Sequence, residues 1–164
     1  MTSTLLVVHH SPTATMRRLT DAVVAGAHDD EIEGVDVVVR PALEATADDV
    51  LGADGYVLGT TANFGYMSGA LKHFFDSTFL RVGGALSSSG AADESSGSTA
   101  GHPFGLYVHG RYDTAGAVRS VMSIVTALGW RQSAEVLEVM GDVTDGDESA
   151  AYELGGTISA LLAP

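Results

Sequence analysis

The strongest constraint on the fold is a regular alternation of short apolar segments with amphipathic helical segments. Five of the apolar segments have the length and composition of buried strands, and they span residues 4–8, 35–39, 55–59, 104–108 and 131–139. Strands that alternate with helices pair in parallel, and right-handed crossovers place the helices on both faces of the sheet. The pattern therefore predicts an α/β domain built on a five-stranded parallel sheet.

The segments between these strands carry apolar residues at helical spacing. The clearest stripe consists of Met67, Leu71, Phe74, Phe75 and Phe79. Similar spacing predicts helices over residues 16–27, 47–51, 118–128 and 151–162. We expect Gly129 to end the fourth helix in a left-handed conformation, because glycine adopts it without a steric penalty.

The composition excludes several classes of function. The 164 residues include no cysteine, which excludes disulfides, thiolate catalysis and cysteine-bound metal centres. The formal net charge of −13 argues against a nucleic-acid partner, because phosphate backbones are bound by clusters of Lys and Arg. The apolar runs are too short to span a bilayer, and the N-terminus lacks the pattern of a signal peptide. We therefore expect a cytoplasmic protein with no membrane span.

One segment departs from the alternation. Residues 83–101 are rich in Gly and Ser and contain few apolar side chains that could pack. The α/β pattern resumes after them, so they are expected to be a mobile loop inserted into one domain that covers residues 1–164.

Ligands bind beyond the carboxyl ends of the strands in such sheets, which directs attention to the loops at residues 9–15, 60–67 and 109–115. The first loop carries the hydroxyls of Ser11, Thr13 and Thr15 and no acidic residue. Its position before a helix favours a phosphate, because the first backbone N–H groups of a helix are unpaired. The alternative, that Ser11 and Thr13 simply cap the helix, explains the same residues equally well. Three histidines, His9, His10 and His109, are expected near this edge in structural or ring-facing roles rather than as metal ligands.

The segment at residues 59–76, with its run Phe64-Gly65-Tyr66-Met67-Ser68-Gly69, resembles the second flavin-binding segment of the flavodoxin-like FMN proteins. The family pattern is Gly-Thr-Pro-x-x-x-Gly-x-Met-Ser-Gly followed by a helix. Within that family the chain is most similar to the WrbA-type NAD(P)H:quinone oxidoreductases and the NADPH-dependent FMN reductases. It differs from them at Ala14, where many members have glycine, and at Thr61, which replaces the usual proline.

The resemblance implies a flavodoxin-like three-layer sandwich with strand order 2-1-3-4-5 and a bound FMN. It implies that the phosphate is held by Ser11, Thr13, Ala14, Thr15 and Met16 in the first loop. It also implies that the isoalloxazine contacts Thr61, Ala62, Asn63, Phe64, Gly65 and Tyr66. Residues His109, Gly110 and Arg111 complete the predicted cofactor site. Phe64, Tyr66 and Tyr112 are the aromatic side chains expected to form the walls of the ring slot.

Two functions follow from the resemblance. The first is an FMN oxidoreductase that takes hydride from NADPH or NADH and passes electrons to a quinone or similar small acceptor. Such an enzyme needs no protein nucleophile, and His109, Arg111 and Tyr112 are predicted around the open face of the flavin. Its relatives imply a homo-oligomer, dimeric or tetrameric. The second is a flavodoxin-type electron carrier without a substrate of its own, which the acidic composition suits.

Overall fold

The computed structural model describes residues 1–83, 85–86, 88–89, 92–93 and 97–164. Its helices are α1 (Ala14–Ala27), α2 (Ala47–Leu51), α3 (Gly69–Thr78), α4 (Ala115–Ala127) and α5 (Asp145–Leu162). Its strands are β1 (Ser3–His9), β2 (Val35–Pro41), β3 (Gly55–Asn63), β4 (Tyr66–Met67), β5 (Ala85–Leu86), β6 (Ala92–Asp93), β7 (Pro103–Gly110), β8 (Arg131–Gln132) and β9 (Leu137–Met140). All five predicted helices are present.

The main sheet runs in the order β2-β1-β3-β7, and β8 and β9 both pair with the far side of β7. All these pairs are parallel, which confirms the predicted order 2-1-3-4-5. The inserted segment contributes a separate antiparallel pair, β5 with β6. Residues 84, 87, 90, 91 and 94–96 of this segment lie outside the described ones, and its predicted mobility stays a prediction.

Two of the predicted elements differ in detail from the structure. The fifth strand, predicted as one piece over residues 131–139, is broken into β8 and β9. The hydroxyl of Ser133 donates to the carbonyl of Arg131 at 3.0 Å, and the side-chain amide of Gln132 donates to the carbonyl of Ala134 at 3.1 Å. Such local bonds compete with the regular hydrogen bonding of a sheet.

The predicted loop at residues 60–67 is instead a hairpin. The strand β3 continues to Asn63, and the chain then turns back through Phe64 and Gly65 into β4. Both turn residues have positive φ, 50° for Phe64 and 78° for Gly65. Two central residues with positive φ are the requirement of a type I′ hairpin turn, and glycine at the second position meets it readily.

The sheet is covered on both faces. The helices α1 and α5 pack over one face, where Met16, Leu19 and Val23 meet Leu154 and Ile158. The helices α2, α3 and α4 cover the other face with a larger cluster of buried aliphatic and aromatic side chains. Gly129 has φ 73°, as predicted for the residue that ends α4. None of the described helices is long and apolar enough to cross a membrane.

The helices α1 and α5 approach each other unusually closely. A Cβ atom added at Gly26 would overlap the carbonyl oxygen of Tyr152, and one added at Gly155 would overlap that of Val23. Glycine is therefore required at both positions of this helix pair. The contact fixes α1, whose first turn borders the candidate site.

Candidate functional site

A cavity of about 450 Å³ lies at the carboxyl edge of the central strands. It is built from the start of α1, the β3–β4 hairpin and the loop after β7. These three segments are the ones that the sequence predicted. The lining residues are Thr13, Thr15, Thr61, Ala62, Asn63, Phe64, Gly65, His109, Gly110, Arg111, Tyr112 and Asp113.

The start of α1 combines a helix cap with unpaired amides. Thr13 is the N-cap, and its hydroxyl accepts a hydrogen bond from the Met16 amide at 3.1 Å. The Met16 amide is thus already used, and its side chain is fully buried in the core. Among the described residues, the amides of Ala14 and Thr15 have no such partner. The first turn has no acidic residue, so its positive end faces the cavity without local compensation.

Ser11 is placed differently from the other predicted phosphate ligands. Its hydroxyl lies 2.8 Å from His9 Nδ1 and 2.8 Å from the hydroxyl of Thr20. The Thr20 hydroxyl in turn lies 2.7 Å from that of Tyr107, which is fully buried. Ser11 therefore lines a neighbouring cavity, together with Arg17, and is committed to an internal hydrogen-bond chain.

The hairpin presents one aromatic ring to the cavity mouth and holds it on a rigid base. The Phe64 ring is fully exposed at a strained positive φ. Beneath it the Met67 amide donates to Ser120 Oγ at 3.1 Å, which ties the hairpin to α4. Gly116 of α4 approaches the hairpin so closely that a Cβ there would overlap the Gly65 carbonyl. Tyr66, predicted beside Phe64, instead lines an adjoining groove on the other side of the turn.

The loop after β7 supplies the opposite side of the cavity. Tyr112 is 93% exposed and offers a second free ring across from the hairpin. Arg111 Nη1 lies 2.9 Å from Asp142 Oδ1 in an exposed ion pair. Asp113 accepts a hydrogen bond from the Ala115 amide at 2.9 Å, which begins α4. Sequence reasoning missed Asp113; its position just before a predicted helix was the available signal.

The floor of the cavity contains an unpaired polar group. Thr61 Oγ1 is the buried side-chain oxygen that lacks a hydrogen-bond partner in the described part of the chain. A buried hydroxyl without a partner is costly, and such groups are rare in folded proteins. The oxygen has almost no accessible surface, so the hydroxyl would have to rotate toward the cavity to meet a ligand.

The charged side chains around the cavity carry no net positive charge. Within the described residues Arg111 is the one cation that lines it, and Asp142 and Asp113 offset that charge. No group of three or more metal-binding side chains occurs among the residues described.

The residues present fit FMN. Two free amides and two threonine hydroxyls at a helix start suit a phosphate, since oriented amides bind anions without a formal positive charge. Two exposed rings, Phe64 and Tyr112, suit the faces of a flat heteroaromatic system.

Comparison with known proteins shows which fold this is. No family model matches the chain. A flavodoxin of Aquifex aeolicus is 36% identical over 72 residues, which are 44% of this chain and 38% of the length of that relative. A flavodoxin from the domain Archaea superposes with a TM-score of 0.76 at 17% identity, covering 97% of this chain and 98% of that one.

A flavodoxin, WrbA-like protein from Agrobacterium tumefaciens superposes with a TM-score of 0.69 at 15% identity. That match covers 99% of this chain and 98% of the other. The protein therefore has the flavodoxin-like fold.

Proposed function

We propose that the protein binds FMN noncovalently in the 450 Å³ cavity and works as an electron carrier of the flavodoxin type. The observation that carries this proposal is the cavity itself, which combines unpaired amides at the start of α1 with two exposed aromatic rings. The similarity to the flavodoxin of Aquifex aeolicus supports it.

Each part of the cavity has a distinct role in this proposal. Thr13 and Thr15 bind the phosphate together with the amides of Ala14 and Thr15. Phe64 and Tyr112 flank the ring and exclude water from its faces. When bound, FMN supplies reversible electron transfer at its ring system, which none of the protein side chains can supply.

Two observations favour a carrier over an NAD(P)H-dependent enzyme. The phosphates of a nicotinamide nucleotide are usually held by cations. Of the residues that the structure describes, Arg111 is the one cation lining the cavity, and it is already paired with Asp142. The net charge of −13 suits a carrier that docks on basic partner proteins, because complementary charge accelerates encounter. On this proposal the protein operates in the cytoplasm.

The second candidate is an NAD(P)H-dependent FMN reductase acting on a quinone or similar small acceptor. It is supported by the WrbA-like structural neighbour and by the position of Arg111 at the cavity rim. In that function Arg111 would exchange Asp142 for a nucleotide phosphate, with His109 and Tyr112 beside the open ring face. If the protein is such a reductase, we expect it to form a homo-oligomer.

Flavin reconstitution followed by anaerobic reduction tests both functions. We expect FMN to bind with at least tenfold higher affinity than riboflavin, since the phosphate contacts are lost in riboflavin. Equal affinity for FMN, FAD and riboflavin would contradict the phosphate assignment. Stopped-flow mixing of the FMN-loaded protein with excess NADPH or NADH then separates carrier from reductase, because bleaching of the flavin band within seconds would favour the reductase.

A further inference from the structure

The strand β2 forms one edge of the main sheet. Among the described strands it pairs with β1 alone, and its seven residues run without a break. The opposite edge is divided into the short strands β8 and β9. Proteins usually shorten or interrupt edge strands, because a long regular edge offers unpaired backbone groups to another strand. The strand β2 therefore has the form of a pairing edge.

The backbone groups that β2 turns outward belong to alternate residues. The Ser3 amide of β1 donates to the carbonyl of Gly34 at 3.0 Å, so the backbone groups of even-numbered residues face β1. Successive residues of a strand direct these groups to opposite sides. The N–H and C=O groups that face away from the sheet are therefore those of Val35, Val37 and Val39.

The side chains of β2 are self-complementary under a two-fold rotation. Asp36 lies two residues before Val38, and Arg40 lies two residues after it. If two β2 strands pair antiparallel about Val38, each Asp36 faces Arg40 of the other copy. The same register sets Val37 opposite Val39 of the other copy. Their outward N–H and C=O groups then form the hydrogen-bonded pairs of an antiparallel ladder.

Neighbouring registers do not pair the charges. A centre on Val37 or Val39 places valines opposite the charged side chains, and a centre on Asp36 places two carboxylates together. Opposite charges directly across a strand pair stabilise it, and like charges destabilise it. The charge pattern of β2 therefore selects the register centred on Val38.

Both charged side chains are within reach of the edge. Asp36 is exposed and has no partner in the described part of the chain. Arg40 Nη1 lies 3.3 Å from the outward carbonyl of Val39, and its Nε atom lies 3.3 Å from Asp49 of α2. A guanidinium has five N–H donors, so Arg40 can keep Asp49 while it bonds to a second carboxylate.

We propose that β2 is a homodimer interface, at which two copies of the chain join their sheets in the antiparallel register centred on Val38. The strands of the two copies then run in opposite directions, so their carboxyl edges lie on opposite sides of the joined sheet. Residues of β2 do not line the 450 Å³ cavity. Both cavities therefore stay open in the dimer, and the inference does not depend on the proposed function.

Sedimentation equilibrium of the full chain tests the interface. At about 0.15 M salt the Debye length is about 8 Å, which screens the repulsion between two chains of charge −13. We expect a reversible monomer–dimer equilibrium. Asp36→Lys and Arg40→Glu should each weaken it about tenfold or more, because each replaces two attractive pairs with repulsive ones. Glu135→Lys, at an exposed position between β8 and β9, is the matched control and should leave it unchanged.

Mixing the two charge variants tests the register itself. An equimolar mixture of Asp36→Lys and Arg40→Glu should form heterodimers with about the affinity of the parent protein, since every altered charge then faces its opposite. A mixture of Glu135→Lys with Arg40→Glu should not be rescued. Unfolding followed through Trp130 fluorescence confirms that each variant is folded.

A single introduced thiol reports the centre of the interface, because the chain has no cysteine. Val38→Cys should form a disulfide-linked dimer under mild oxidation, since the facing Cβ atoms of a central antiparallel pair lie about 5 Å apart. Val35→Cys is the control. In this register its two copies are six residues apart along the strands, or about 20 Å. We expect Val38→Cys to crosslink at least about tenfold faster.

Two results would overturn the proposal. The first is a parent protein that stays monomeric at about 1 mM while Val38→Cys crosslinks no faster than Val35→Cys. Arg40 would then serve to cover an unused edge. The second is a dimer that both charge variants leave unchanged, because association would then use another surface. FMN affinity, measured on the same samples, should be equal in the parent protein and all variants, so these failures leave the proposed function untouched.

Discussion

The ring of Tyr107 occupies the space that a side chain at position 59 would need. Gly59 and Tyr107 are register partners on β3 and β7, and a Cβ atom at Gly59 would overlap the tyrosine ring and its hydroxyl. Tyr107 is fully buried, and its hydroxyl bonds to Thr20 of α1 at 2.7 Å. Gly59 therefore leaves room for the Tyr107 side chain to reach from β7 to α1, the helix whose first turn borders the candidate site.

Gly59→Ala should destabilise the fold by about 2 kcal/mol or more, because overpacking a filled core costs that order of free energy. The measurement is urea unfolding followed by the fluorescence of Trp130, the single tryptophan of the chain. Gly146→Ala in the first turn of α5 is the control, since its Cβ would make an ordinary contact of 3.6 Å. A loss below about 0.5 kcal/mol in Gly59→Ala would show that the Tyr107 ring can move aside.

The protein should lose stability above about pH 10 because of its buried tyrosines. Burial raises the pKa of Tyr107, and it also raises the pKa of Tyr56, to which the charge of Asp54 adds. Tyrosines in the unfolded chain ionise near pH 10, so above that pH the unfolded state releases protons that the folded state retains. The stabilisation is complete below about pH 10 and is lost as the pH rises further.

Tyr107→Phe tests this directly through the pH dependence of unfolding. At pH 7.5 the variant should be less stable by about 1 kcal/mol, the loss of one buried hydrogen bond. At pH 11 the difference in the free energy of unfolding between the variant and the parent protein should narrow, because phenylalanine has no proton to lose. The exposed Tyr112→Phe is the control, and an identical narrowing there would refute the assignment to Tyr107.

The fold should lose stability at acidic pH because of His9. This residue is the first member of the hydrogen-bond chain that continues through Ser11 and Thr20 to Tyr107. Burial lowers the pKa of His9, the charge of His10 lowers it further, and Asp21 acts in the opposite direction. A histidine with a lowered pKa stabilises the fold fully above its unfolded value of about 6.5, and this contribution is lost as the pH falls. His9→Asn should therefore flatten the loss of stability between pH 7 and 5. The exposed His73→Asn should leave it unchanged, and equal behaviour of the two variants would contradict the prediction.

Gly116→Ala should impair flavin binding without contacting the flavin. The added Cβ would overlap the Gly65 carbonyl, so the hairpin that holds Phe64 must shift. We expect at least a tenfold loss of FMN affinity, measured by quenching of flavin fluorescence, with secondary structure retained. Gly69→Ala at the start of α3 has open space around its Cβ and serves as the control. Unchanged FMN affinity in Gly116→Ala would show that flavin binding does not depend on the position of the hairpin.

The sequence predicted the fold well because the fold depends on periodicity. The parallel strands and the helices follow from the alternating apolar segments, and the left-handed Gly129 follows from its position after α4. The strand order came from the resemblance to the flavodoxin-like proteins, not from the spacing. The break between β8 and β9 was not predictable, since the apolar pattern runs through it. It coincides with side-chain hydrogen bonds of Gln132 and Ser133, which carry no periodic signal in the sequence.

The site was predicted less completely than the fold. Loop position identified the three segments, and the residues from Thr61 to Gly65 do line one cavity. Ser11 and Tyr66 share those segments but face elsewhere, because hairpin twist and a contact with Thr20 determine their directions. The unpaired hydroxyl of Thr61 is a property of packing and has no signature in the sequence.

The close contact between α1 and α5 determines when the candidate site can form during synthesis of the chain. The helix α5 is the last described element of the chain, yet it covers β1 and β3 and fixes α1, which begins the cavity. On the ribosome, α1 emerges long before its partner and waits with an uncovered apolar face. The candidate site can therefore take its final form only after Gly155 has left the exit tunnel and α5 has packed against α1.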